Sequence, residues 1–137
     1  EPLIEVSKIY RSLEKPGAAY VFAKQAVELP YPQNDILFIS EDVYSYGALD
    51  EISATAYYAG HALEGYNATK KLLEDKLIPE AHVERVKKNF EQYETVLQQM
   101  QAQQVQQNMH QQIEKMKEKK EQKAQTTKYK KKKATSR

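Results

Sequence analysis

A chain of 137 residues without a cysteine has room for one small domain and an appendage, and it excludes disulfides, cysteine metal sites and thiol nucleophiles. Its net charge of +2 hides a division, since residues 114–137 carry eleven Lys and Arg against three Glu, a net of +8, and residues 1–113 a net of −6. No stretch approaches the roughly 18 apolar residues of a membrane-spanning helix, and no signal peptide is recognisable.

Absence of cysteine suits the cytoplasm or another reducing compartment. The start at Glu1 rather than Met reads as a segment of a longer protein.

In chain order, residues 2–14 place Leu3, Val6, Ile9, Tyr10 and Leu13 at helical spacing, with Pro2 suited to a first turn. Lys15-Pro16-Gly17 then reads as the break, because proline cannot continue a helix and glycine tolerates positive φ. Residues 18–29 form a second helix rich in small side chains, stopped by Pro30-Tyr31-Pro32. The run Ile36-Leu37-Phe38-Ile39 follows, short, apolar and strand-like. A third helix is expected over 42–59, with Ser40 as cap and Glu41 and Asp42 at the favourable end of the dipole. Gly60 ends it. The fourth covers 61–75, Leu77-Ile78-Pro79 breaks it, and a fifth starts near Glu80 and meets no further Gly or Pro.

Helix pairs joined by tight turns raise the question of a repeat. Tyr10, Ala19 and Ala26 correspond to Ala56, Gly65 and Leu72 at a constant offset of 46, and Leu49, Ile52 and Ala56 to Val83, Val86 and Phe90 at an offset of 34. The difference locates an insertion near 30–42, in the linker between two stacked hairpins. Four adjacent apolar residues there would aggregate if left in water. Ile36, Leu37, Phe38 and Ile39 are therefore expected to fold back on the hairpins or to dock on a partner domain.

Small residues at Ala19 and Ala26, an aromatic at Tyr10 and a proline after the second helix make this period resemble the tetratricopeptide repeat. A more specific resemblance covers residues 1–97. AAYVFAKQAVELPYP, DILFISEDVYSY, LDEISATAYYAGH and GYNATKKLLEDKLIPEAHVERVKKNF resemble the helical region that follows the catalytic domain in family-2-type glycosyltransferases of bacteria and giant viruses. In that family the sugar-nucleotide fold and its Asp-x-Asp motif lie upstream, so the resemblance implies a scaffold. Its partner would be its own catalytic domain or another subunit.

Little else in the chain offers chemistry. His61, His82 and His110 fall on separate helical segments without metal-ligand spacing. Glu41 and Asp42 read as helix-start charge, and the neighbours Asp50 and Glu51 point about 100° apart on a helix. The four glycines are too scattered for a phosphate loop, and the sequon at Asn67 lies in mid-helix. No catalytic residue, cofactor or metal ligand is expected, and this segment is not expected to be an enzyme. Tyrosine is abundant, ten in all; of Tyr57 and Tyr58, one should pack and one be exposed. In tetratricopeptide arrays the first helices line a concave groove. The 34-residue phase puts Ile4, Lys8, Arg11, Asp50, Tyr57, Lys88 and Glu91 there, as a partner-binding surface or a solvated face.

Residues 98–112 hold nine Gln and no formal charge. Leu97, Met100, Val105, Met109, Ile113 and Met116 give a thin stripe with a mean spacing of about 3.8, nearer a plain helix than a strict heptad. An extended, partly self-supported Gln-rich helix is expected over 98–125 rather than a strong coiled coil, with pairing to a partner helix, in an oligomer for instance, as the alternative. From Thr126 the charge run reads as a disordered tail over 126–137. Lys128, Lys130, Lys131, Lys132, Lys133 and Arg137 could hold a polyanion, either nucleic acid or an acidic membrane, or form a solvated terminus or a localisation signal. The expected whole is all-α: a tetratricopeptide-like array of two hairpins and a capping helix, extended by a long C-terminal helix. Its expected function is non-catalytic scaffolding within a glycosyltransferase. The alternative is a stand-alone interaction or virion-structural module whose tail binds polyanion.

Overall fold

A computed structural model describes residues 2–30 and 46–136. Among these it contains the helices α1 (Pro2–Ser12), α2 (Pro16–Glu28), α3 (Ala48–Thr55), α4 (Ala62–Glu74) and α5 (Glu80–Thr135), and no strand. The chain divides into two compact units, Glu1–Leu97 and Gln98–Arg137. The first is the expected all-α hairpin array. α1 packs on α2, α2 on α3 and α3 on α4, and α1 also reaches α3.

Three turns of the array share one closing device. After α1, Glu14 N–H donates to Arg11 O and Lys15 N–H to Tyr10 O. After α3, Gly60 N–H donates to Tyr57 O and His61 N–H to Ala56 O; after α4, Lys76 N–H donates to Leu73 O and Leu77 N–H to Leu72 O. This is the Schellman pattern, which needs a left-handed residue at its corner. Glu14, Gly60 and Lys76 take that conformation, at φ of 56°, 80° and 51°. The expected break at Lys15-Pro16-Gly17 is thus displaced. Glu14 turns the chain, Pro16 occupies the first turn of α2, where its missing N–H costs nothing, and Gly17 lies inside the helix.

The third helix ends before the expected Ala59, and the expected start at 42–45 lies outside the described residues. α3 ends at Thr55 and the chain turns from Ala56 to Gly60. The Ser40 cap, its neighbours Glu41 and Asp42, and the Ile36–Ile39 insertion lie outside the described residues.

Small side chains make the close approaches. Ala19, Ala23 and Ala26 of α2 are buried, as are Ala56 and Ala68. Gly65 has a more specific task. A Cβ there would stand 2.1 Å from the ring of Tyr93, so the glycine is the notch into which that α5 side chain fits. Tyr93 is only 1 % exposed, and its hydroxyl donates to Ser53 O at 2.9 Å and accepts from Tyr57 N–H at 3.0 Å. A second cluster, Leu72, Ile78 and Val86, closes the corner between α4 and α5, with Tyr46 and Val83 against it.

The face of α1 that meets its neighbours is mixed rather than wholly apolar, with Leu3 packed against the cluster of Ile4, Ala26 and Ala48 and Tyr10 stacked on Phe22. Ile4 and Ser7 are buried, whereas Ile9 and Leu13 are exposed. Ser7 Oγ donates to Ala19 O at 2.8 Å, and Arg11, one turn on, reaches α3.

In the second unit every described residue is exposed. Disorder was the expectation from Thr126, but α5 continues to Thr135. No Gly or Pro interrupts the run, Lys and Gln are fair helix formers, and Lys132 and Lys133 in the last turn face the negative end of the dipole.

Candidate partner-binding groove

The adjacent acids of α3 organise this face. About 100° apart on the helix, Glu51 and Asp50 serve different neighbours. Glu51, 3 % exposed, accepts from Arg11 of α1 through Nε at 3.1 Å and Nη2 at 2.9 Å. Asp50 accepts from Arg85 of α5 through Nη1 at 3.0 Å and Nη2 at 2.9 Å. Both are two-pronged contacts that fix the guanidinium planes. Donating to Glu51 holds the Arg11 guanidinium above its ordinary pKa.

Between these two arginines runs an open groove of about 570 Å³. Its walls include Tyr57 and Tyr58 after α3, and Asn89, Gln92 and Tyr93 of α5. Asn89 Nδ2 donates to Ser53 Oγ at 3.1 Å, which orients its carboxamide. Tyr57 and Tyr58 are 39 % and 66 % exposed and meet edge to face, with centroids 5.1 Å apart. Neither is packed away, contrary to the expectation for one of them. The interior aromatic position behind this turn belongs to Tyr93.

No family model, curated protein or solved structure matches this chain. The face must therefore be read from its own residues. Of those expected on it, Arg11 and Tyr57 line the groove and Asp50 holds Arg85 at its edge. Ile4 is in the core instead. Lys8 pairs with Glu5 of its own helix at 2.8 Å and is not among the groove walls. Lys88 and Glu91 are exposed on α5 but do not line the groove. Arg85, Asn89 and Gln92 do so, because burial of Val86 and Tyr93 sets the rotation of α5. Their spacing of four and three was a visible sign in the sequence; what was missing was which face of α5 turns inward.

A second polar cluster ties α2 to α4. Tyr20 stacks on His61 with centroids 4.5 Å apart, and Glu64 accepts from the Tyr20 hydroxyl and from Lys24 Nζ at 2.9 Å. The tyrosine hydrogen bond, then the lysine one, lowers the Glu64 pKa. Burial, then the carboxylate, raises that of Tyr20.

Among the described residues no three His, Asp or Glu stand together as a metal site, and no helix is long and apolar enough to cross a membrane. Lys128 and Lys130 to Lys133 are exposed on α5, and Arg137 lies outside the described residues.

Proposed function

We propose that residues 1–97 are a non-catalytic helical scaffold whose groove between α1, α3 and α5 grips a protein partner. The carrying observation is the groove's composition: two exposed tyrosines between two arginines, each held by a carboxylate. Tyr and Arg are the residues that concentrate binding energy at interfaces. Arginines already fixed by Glu51 and Asp50 lose less freedom when a partner arrives. The motifs of residues 1–97 favour the C-terminal part of a glycosyltransferase, with the groove contacting its catalytic domain or another subunit.

Cross-linking of the intact protein followed by mass spectrometry tests this reading. Links from Lys15 and Lys88, beside the groove, to residues outside this segment support it, and Tyr57→Ala with Tyr58→Ala should abolish them. Links unaffected by that pair of substitutions would refute it. The residues preceding Glu1 test the parentage: a sugar-nucleotide fold with an Asp-x-Asp motif supports the transferase, and an unrelated domain does not.

The second reading, a stand-alone interaction or virion-structural module, rests on the basic end of α5. Residues 114–137 carry a net +8, with Lys128 and Lys130 to Lys133 on continuous helix. Heparin or duplex DNA binding should then weaken steeply with salt, by a logarithmic slope of about −0.9 per neutralised phosphate on DNA. Deleting residues 126–137 should remove most of it.

A further inference from the structure

The second unit leaves an apolar seam uncovered. Ala102, Val105, Met109, Ile113 and Met116 follow one another at spacings of 3, 4, 4 and 3. At about 100° per residue all five lie within about 40° of Met109 around the helix. Met100 falls on the opposite side. The four larger side chains are 45–57 % exposed. A solitary Gln-rich helix is marginal in water, and one ion pair, Lys117 to Glu114, braces the described part of this unit.

The spacing reads the same from either end. Turned end for end about an axis through Met109, the helix presents the same ladder to a second copy. Ala102 then faces Met116, Val105 faces Ile113 and Met109 faces its own counterpart. Small meets large at the outer rungs, and the surface is complementary to itself, which a two-fold contact requires.

Charge selects between the two ways of pairing. Side by side in parallel, the +8 segments of residues 114–137 would lie about 10 Å apart. That is close to the screening length of about 8 Å at physiological salt, so the repulsion survives. Lys120, which continues the seam, would meet Lys120. In the antiparallel pair, residues 114–120 of one copy run beside residues 98–104 of the other, which carry no charge, and Lys120 faces Gln98.

We propose that the chain self-associates through this seam as an antiparallel helix pair centred on Met109. The contact is independent of the groove. It is short, about two heptads, so the dimer dissociates on dilution.

Sedimentation equilibrium of the full chain should show a monomer–dimer equilibrium. Met109→Lys sets two ammonium groups against each other at the axis and should weaken association by about tenfold or more, with the thermal transition of the array retained. Because the chain has no cysteine, single cysteines report direction. A mixture of Ala102→Cys and Met116→Cys copies should form the mixed disulfide on oxidation, and neither variant alone should cross-link. A monomer at every concentration, association unaffected by Met109→Lys, or a disulfide between two Ala102→Cys copies would overturn the proposal.

Discussion

Glu14 and Lys76 hold left-handed corners that glycine fills more easily, whereas the third such corner has Gly60. A side chain in that conformation costs about 1 kcal/mol or more. Lys76→Gly should therefore stabilise the array by about 0.5–1 kcal/mol, less than the full strain because glycine also loosens the unfolded chain. Gly60→Ala should destabilise it by a similar amount. Paired thermal melts check both signs. Gly65 differs, since its φ is not at issue and only the space matters. Gly65→Ala drives a methyl into the Tyr93 ring and should lower stability by about 1–3 kcal/mol, although alanine is the better helix former. If denaturant melts show Gly65→Ala to be neutral, Tyr93 is not seated there.

Between elements, the array is joined by polar groups as much as by apolar ones. Arg11 and Glu51 tie α1 to α3, and removing the arginine leaves a carboxylate buried without its counter-charge. Because Arg11 is half exposed, Arg11→Met should cost about 1–3 kcal/mol, and Arg11→Met with Glu51→Met should recover most of it. A double-mutant cycle measures that coupling. Tyr93 links α5 to α3 through Ser53 and Tyr57. Burial pushes its hydroxyl up to about 12 from the usual 10.0. Because the folded pKa is the raised one, the stabilisation is whole below about 10 and is lost as pH climbs through about 12. Alkaline unfolding should steepen in that window, and Tyr93→Phe should flatten it while lowering stability at neutral pH. At the acid end Glu64 has the opposite sign. Its lowered pKa contributes stability above the ordinary carboxylate range, lost as pH falls through the folded value.

At the scale of the molecule, the array keeps its buried side chains at or before Tyr93, inside the unit Glu1–Leu97. Residues 98–136 bury nothing. A chain ending at Leu97 should unfold cooperatively, with a melting temperature close to that of the full chain measured at low concentration. Calorimetry of both decides this. Loss of a cooperative transition in the shorter chain would mean that the Gln-rich helix supports the array.

Helix count and hairpin order were legible in the residues, because Pro and Gly interrupt apolar runs and those rules act over a few neighbours. Ala19 and Ala26, singled out by the repeat as small residues, are buried between helices, for the same local reason that only small groups fit a close approach. The faces were not legible. α1 turns Ile4 and Ser7 inward, aims a half-exposed Arg11 at α3 and leaves Ile9 and Leu13 in water, since a buried Glu51 on another helix needs Ser7 and Arg11 as partners. α5 turns Val86 and Tyr93 inward, which moved the groove from Lys88 and Glu91 to Arg85, Asn89 and Gln92. Periodicity identifies a stripe without saying what lies opposite it. Rotation of each helix is settled by pairings some forty residues away in the chain, such as Arg11 with Glu51 and Tyr93 with Ser53, and only the tertiary structure brings those together.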